Sequence, residues 1–140
     1  MTPADQKVFD LGNGDCFRAC VASVLDLPVE EVPNFMEHPG PAWWTAVQEW
    51  LTARGLMVEV RRGKGGGAVK NFPRGYWIAS GKSLRGDHHH AVVFHGGEMV
   101  HDPHPDRTGI DGPPLFCYVI VNDAMVSLFQ HADDAAGKPL

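Results

Sequence analysis

The chain has 140 residues, is 44% hydrophobic and 21% charged, and carries a formal net charge of −5. That length suits one domain, large enough to bury a core without a metal or disulfide staple. The acidic balance, with a pI near 5.8, argues against a general nucleic-acid binder, which needs a basic face against phosphate.

No apolar run reaches the ~18 residues of a membrane span, so no membrane partner is expected. The first residues, Met1 to Lys7, are polar and read against a signal peptide, so the expected location is the cytoplasm. Cys16, Cys20 and Cys117 are odd in number, and in a reducing compartment they point to free thiols.

Residues 1–12 are polar and read as irregular. Asn13, Gly14 and Asp15 form a turn and cap, and the first helix starts near Cys16. Phe17, Cys20, Val21, Val24 and Leu25 recur at helical spacing as one apolar stripe. Pro28 is expected to end this helix, with a short helical turn from Val29 to Val32 before Pro33. A longer helix is predicted from Pro41 to Arg54, stopped by Gly55 and buried through Trp43, Val47, Trp50 and Leu51.

Met57 to Arg61 alternates as a strand, residues 62–67 read as a flexible loop, and Tyr76 to Ser80 read as a second strand. His90 to Phe94 and Glu98 to Asp102 form a hairpin around His95-Gly96-Gly97, and Leu115 to Val121 is a last strand. The tail from Ala132 to Leu140 is expected to fray, which leaves 1–131 as one domain. Helices followed by antiparallel strands indicate the α+β class.

The two N-terminal cysteines differ in setting. Cys20 lies inside the apolar stripe, where a free cysteine serves as a small hydrophobe. Cys16 lies in the first helical turn, where unpaired N–H groups and the positive dipole end favour a thiolate. The plainer alternative is that Cys16 packs against the neighbouring loop.

The hairpin supplies a base and an orienting acid. A three-residue loop centred on Gly96 sets 90 against 102, with Cβ atoms ~5 Å apart. Asp102 then holds the His90 imidazole in one tautomer and stabilises its cation. A two-residue loop at Gly96-Gly97 would place the two on opposite faces, so the pairing is expected to rest on the odd loop. The plainer alternative is an edge-strand histidine beside a turn-forming Asp102-Pro103.

Cysteine at a helix start, then histidine and aspartate on successive strands, is the order of papain-like cysteine hydrolases. Gly14-Asp15-Cys16-Phe17-Arg18-Ala19-Cys20-Val21-Ala22 resembles the Asp-Cys-Gly-x-Ala-Cys-Leu-Ala signature of bacteriocin-processing C39-type peptidases. His90-Ala91-Val92-Val93 is similar to that family's His-Phe-Val-Val, and Val100-His101-Asp102-Pro103 to its hydrophobic-x-Asp-Pro. The resemblance implies a papain-like fold with Cys16 as nucleophile, His90 as general base and Asp102 as orienting acid. The chain has Phe17 where the family has glycine, and Asp10 at the position of the family's oxyanion glutamine. The glutamine available upstream is Gln6, which the resemblance assigns to the oxyanion hole.

The histidines at 88, 89, 90, 95, 101 and 104 lack the spacing of a metal site, and no metal or other cofactor is expected. Neither Arg61 to Lys70 nor Gly81-Lys82-Ser83 has the spacing of a phosphate loop. Trp43, Trp44 and Trp50 read mainly as core, with Trp44 off the stripe and able to line a cleft. The expected function is a stand-alone cysteine hydrolase cleaving a peptide, isopeptide or related amide bond in a peptide or protein substrate. The alternatives are acyl transfer on the same triad and a catalytically silent binding module.

Overall fold

The helix predicted at Cys16 forms as α1, Cys16–Val24, in the computed structural model, which describes residues 1–10 and 14–122. Asn13 of the predicted turn and the tail 132–140 lie outside the described residues. Pro28 does not end α1. Asp26 does, by taking the left-handed conformation at φ 58°. Its N–H donates to Ser23 O at 3.3 Å and that of Leu27 to Ala22 O at 2.9 Å, satisfying the last carbonyls. The earlier stop leaves Val24 and Leu25 only half-buried.

A 3-10 turn at Val29–Glu31 follows as expected, and a second at Phe35–Glu37 was not foreseen. Asn34 caps the latter by accepting the Met36 N–H at 3.2 Å. The second helix, α2, spans Ala42–Thr52 behind Pro41, and Gly55 takes φ 72° beyond its end. Val47 and Leu51 are its fully buried residues, whereas Trp43 and Trp50 pack half-buried against the core.

Five strands follow: β1 Leu56–Arg62, β2 Tyr76–Ser83, β3 His89–His95, β4 Glu98–His101 and β5 Ile110–Asn122. They form one antiparallel sheet in the order β1-β5-β2-β3-β4. The protein is therefore α+β. The segment expected as a flexible loop after β1 contains a 3-10 turn, Lys64–Gly66. β5 starts five residues before Leu115, through Gly112, Pro113 and Pro114. Those residues sit where its register against β2 slips, from Ser80 facing Phe116 to Lys82 facing Asp111. Such an irregularity accommodates prolines that a regular ladder excludes.

Strand alternation divides the core in two. Ile78, Ala91, Val93 and Tyr118 meet Phe17, Cys20, Val21, Phe35, Val47 and Leu51 from the helices and their connection. Trp77, Ala79, Val92 and Cys117 pack with Val69 from the β1–β2 connection. Among the described residues, no helix is long and apolar enough to cross a membrane.

The β3–β4 hairpin corrects the expected register. His95 faces Glu98 and Phe94 faces Met99, so the loop is the two-residue Gly96-Gly97. That loop alone would separate His90 from Asp102. Val93, however, faces His101, which leaves Val100 as an extra residue in a β-bulge. Continued by one residue, this register sets Asp102 opposite Val92, two positions from His90 on the same strand. The short loop and the bulge cancel, and parity is restored.

Candidate active site

Cys16 opens α1 and lines a cleft of about 340 Å3 together with Gln6, Met36, His89, His90 and His104. His90, the second residue of β3, is buried and lines this cleft beside Cys16. Its Nε2–H donates to Asp102 Oδ1 at 2.7 Å. Because a carboxylate only accepts, Nε2 carries the proton and Nδ1 is the ring nitrogen left for the cysteine. Asp102, fully buried one residue past β4, accepts two further bonds. His104 N–H reaches Oδ1 at 2.9 Å and Gly109 N–H reaches Oδ2 at 2.8 Å.

These contacts set the charges. Burial lowers the His90 pKa, but the bonds to Asp102 and Cys16 outweigh it and hold the value up at about 9. Burial raises the Asp102 pKa, but the His90, His104 and Gly109 donors outweigh it and keep the carboxyl below its ordinary range. A raised His90 beside a lowered Asp102 favours an imidazolium–carboxylate pair at neutral pH.

Gln6 also reaches the cleft. Its backbone N–H donates to Pro103 O at 3.1 Å, and its side-chain Nε2 donates to Val8 O at 3.0 Å. The Gln6 amide is buried, and its Oε1 has no hydrogen-bond partner among the described residues. A second Nε2–H remains for a ligand. The structure thus brings Cys16, His90 and Gln6 to one cleft, with Asp102 buried behind His90, although Gln6 lies ten residues upstream of the cysteine.

Comparison with protein-family models, curated proteins and solved structures finds no match for this chain. The side chains of this cleft therefore carry the functional argument.

Phe17, which stands where a glycine was expected after a nucleophile, points away from the chemistry. It is buried, and its ring meets Phe35, Trp43 and Tyr118 edge-on at 6.5, 5.6 and 5.1 Å. Cys20 is fully buried, and burial pushes its thiol well up, reinforced by Cys16 and Asp102. Burial likewise pushes Cys117 up to about 11. Iodoacetamide at pH 7 is expected to modify Cys16 on the order of tenfold or more faster than Cys20 or Cys117 in the folded protein. Peptide mass mapping reads the three sites separately, and equal rates at Cys16 and Cys20 would remove Cys16 as the nucleophile.

Sequence reasoning missed what holds Gln6. Asp15 occupies the N-cap position but makes no capping bond. Its fully buried carboxylate turns back to the N-terminal segment. It accepts the Lys7 N–H at 2.9 and 3.1 Å, the Val8 N–H at 2.9 Å and Arg18 Nη1 at 3.2 Å. Further along, Ala4 N–H donates to Ser23 Oγ at 2.9 Å and His101 Nε2 donates to Ala4 O at 2.8 Å. Arg107 bridges both oxygens of Asp5 and the Asp102 carbonyl. The irregular first residues are therefore strapped across the site from both sides. An aspartate directly before the candidate nucleophile was the available signal. Among the described residues, no cluster of three or more His, Cys, Asp or Glu is placed to hold a metal ion.

Proposed function

We propose that this protein is a cysteine hydrolase of papain-like fold, cleaving a peptide, isopeptide or related amide bond. The observation that supports it is that Cys16 and His90 line one solvent cleft while the buried Asp102 holds the His90 ring from behind at 2.7 Å. The Cys16 sulfur adds to the amide carbonyl carbon, and the carbonyl oxygen takes the negative charge. The backbone N–H orphaned at the start of α1 and the free Nε2–H of Gln6 are the donors at hand for that oxygen. The C–N bond then breaks, and the amine departs with the His90 proton. Water adds to the thioester and gives a proton to His90. The C–S bond breaks, releasing the acid and returning the thiolate–imidazolium pair.

The test is hydrolysis of a mixed peptide pool followed by mass spectrometry. Wild type should cleave and Cys16→Ala should not, and EDTA should leave the rate unchanged because no step needs a Lewis acid. Loss on chelation with recovery on zinc would transfer the chemistry to the histidines. Products joined to an added amine would mean acyl transfer, and no turnover with an inert Cys16 would mean a binding module.

A further inference from the structure

The cleft does not end at His90. His89, its neighbour on β3, is exposed and lines the same cleft. The His89 ring also lies 5.7 Å from that of Phe116 on β5. On β2, Ser80 faces Phe116 on one side and Ala91 on the other, and the exposed Lys82 faces His89. Phe116 is half-buried and stacks on Tyr118 at 6.3 Å. Arg62, the last residue of β1, faces Phe116 in register and holds its guanidinium 5.4 Å from that ring. An aromatic shelf thus runs from beside the nucleophile to the cationic end of β1.

Past Arg62 the surface is cationic. Arg62, Lys64 and Lys70 surround a hollow of about 530 Å3 floored by Gly63, Gly67 and Ala68, with no acidic residue in its lining. At its floor the backbone closes on itself: a Cβ on Gly63 would come within 1.7 Å of Gly67 O. Residues 61–74 contain Arg61, Arg62, Lys64, Lys70 and Arg74 and no acid, in a chain of net charge −5. Arg61 is paired with Glu59 at 3.0 Å, whereas among the described residues the three cations of the hollow have no acidic partner.

Resting on the hydrolase reading, we propose that the substrate is a peptide with an aromatic residue near the scissile bond followed by acidic residues. The aromatic side chain lies on Phe116 and the carboxylates enter the hollow of Arg62, Lys64 and Lys70. Single-stranded nucleic acid also combines cations with aromatic stacking, but the thiol and imidazole at the head of the shelf act on an amide carbonyl, which it lacks along its backbone. A peptide uses both.

The test separates docking from cleavage. Cys16→Ala protein is titrated, by fluorescence anisotropy, with labelled peptides in which phenylalanine precedes three glutamates, three serines or three lysines. The glutamate peptide should bind on the order of tenfold or more tighter than the serine peptide, with an advantage that shrinks as salt rises. Arg62→Glu combined with Lys64→Glu, both at exposed positions, should abolish that advantage and favour the lysine peptide. Phe116→Ala should weaken the phenylalanine peptide towards one starting with alanine. Equal binding of all three peptides, or tighter binding of an oligonucleotide of equal charge, would overturn the proposal. If wild type cleaves without regard to charge, the docking surface is wrong and the hydrolase stands. If the glutamate peptide docks at Arg62 but is never cleaved, the hydrolase reading fails and the docking surface stands.

Discussion

Asp102→Asn is expected to cut turnover by up to ~10⁴, by analogy with serine-protease triads, and to destabilise the fold as well. The second effect follows from the acceptor count. Oδ1 takes His90 Nε2–H and His104 N–H, and Oδ2 takes Gly109 N–H. An amide keeps one acceptor oxygen, so one buried N–H must face an NH2 group, at a cost of about 1–3 kcal/mol. The charge is lost too. His90 should then titrate well below its wild-type value of about 9, a shift that NMR of the ring protons reads directly.

The folded His90 pKa lies above its ordinary 6.5, so its stabilising contribution is complete below that value and is lost as pH rises through about 9. The folded Asp102 pKa is depressed, so its contribution is present above the ordinary 3.8 and is lost as pH falls through the folded value. Asp102→Asn should flatten both limbs. His101→Ala is the contrast. His101 bonds Ala4 O and lies 3.3 Å from Asp5, so its loss should cost about 1 kcal/mol of stability and little turnover. A silent Asp102→Asn beside a dead His101→Ala would mean that the orienting group has been misassigned.

What the sequence disclosed, and what it hid, divides by the range of the interaction. α1, α2 and the strands are legible because apolar periodicity is local. The end of α1 was misplaced because a left-handed Asp26 leaves no signal as strong as Pro28. The start of β5 was hidden by Pro113 and Pro114, which deny a strand unless the register slips around them. The His90–Asp102 pair was anticipated through the wrong loop. Nothing in Met99-Val100-His101 announces a bulge, since its cause lies in how the two strands meet. The N-terminal strap was invisible because its bonds run from Ala4 to Ser23 and from Gln6 to Pro103, and it has no periodicity of its own.

That strap makes Asp15 a sensitive residue outside the proposed triad. Asp15→Ala is expected to cost about 2–4 kcal/mol, because it leaves the Lys7 and Val8 N–H groups and the Arg18 guanidinium without their buried acceptor. For a domain of this size the melting temperature should fall by about 10 °C, read by calorimetry. Activity should fall by a separate route. Lys7 and Val8 follow Gln6 directly and Val8 O holds its amide, so releasing them frees a side chain that lines the Cys16 cleft. Loss of one oxyanion donor costs on the order of 10²–10³ in kcat with KM little changed. Gln6→Ala should show the same kcat loss with a smaller stability loss. The double variant decides whether Asp15 acts through Gln6. If it does, Asp15→Ala combined with Gln6→Ala should be no slower than Asp15→Ala alone, measured below the lower melting temperature. Full additivity of the two losses would mean that Asp15 supports the fold and has no part in placing the donor.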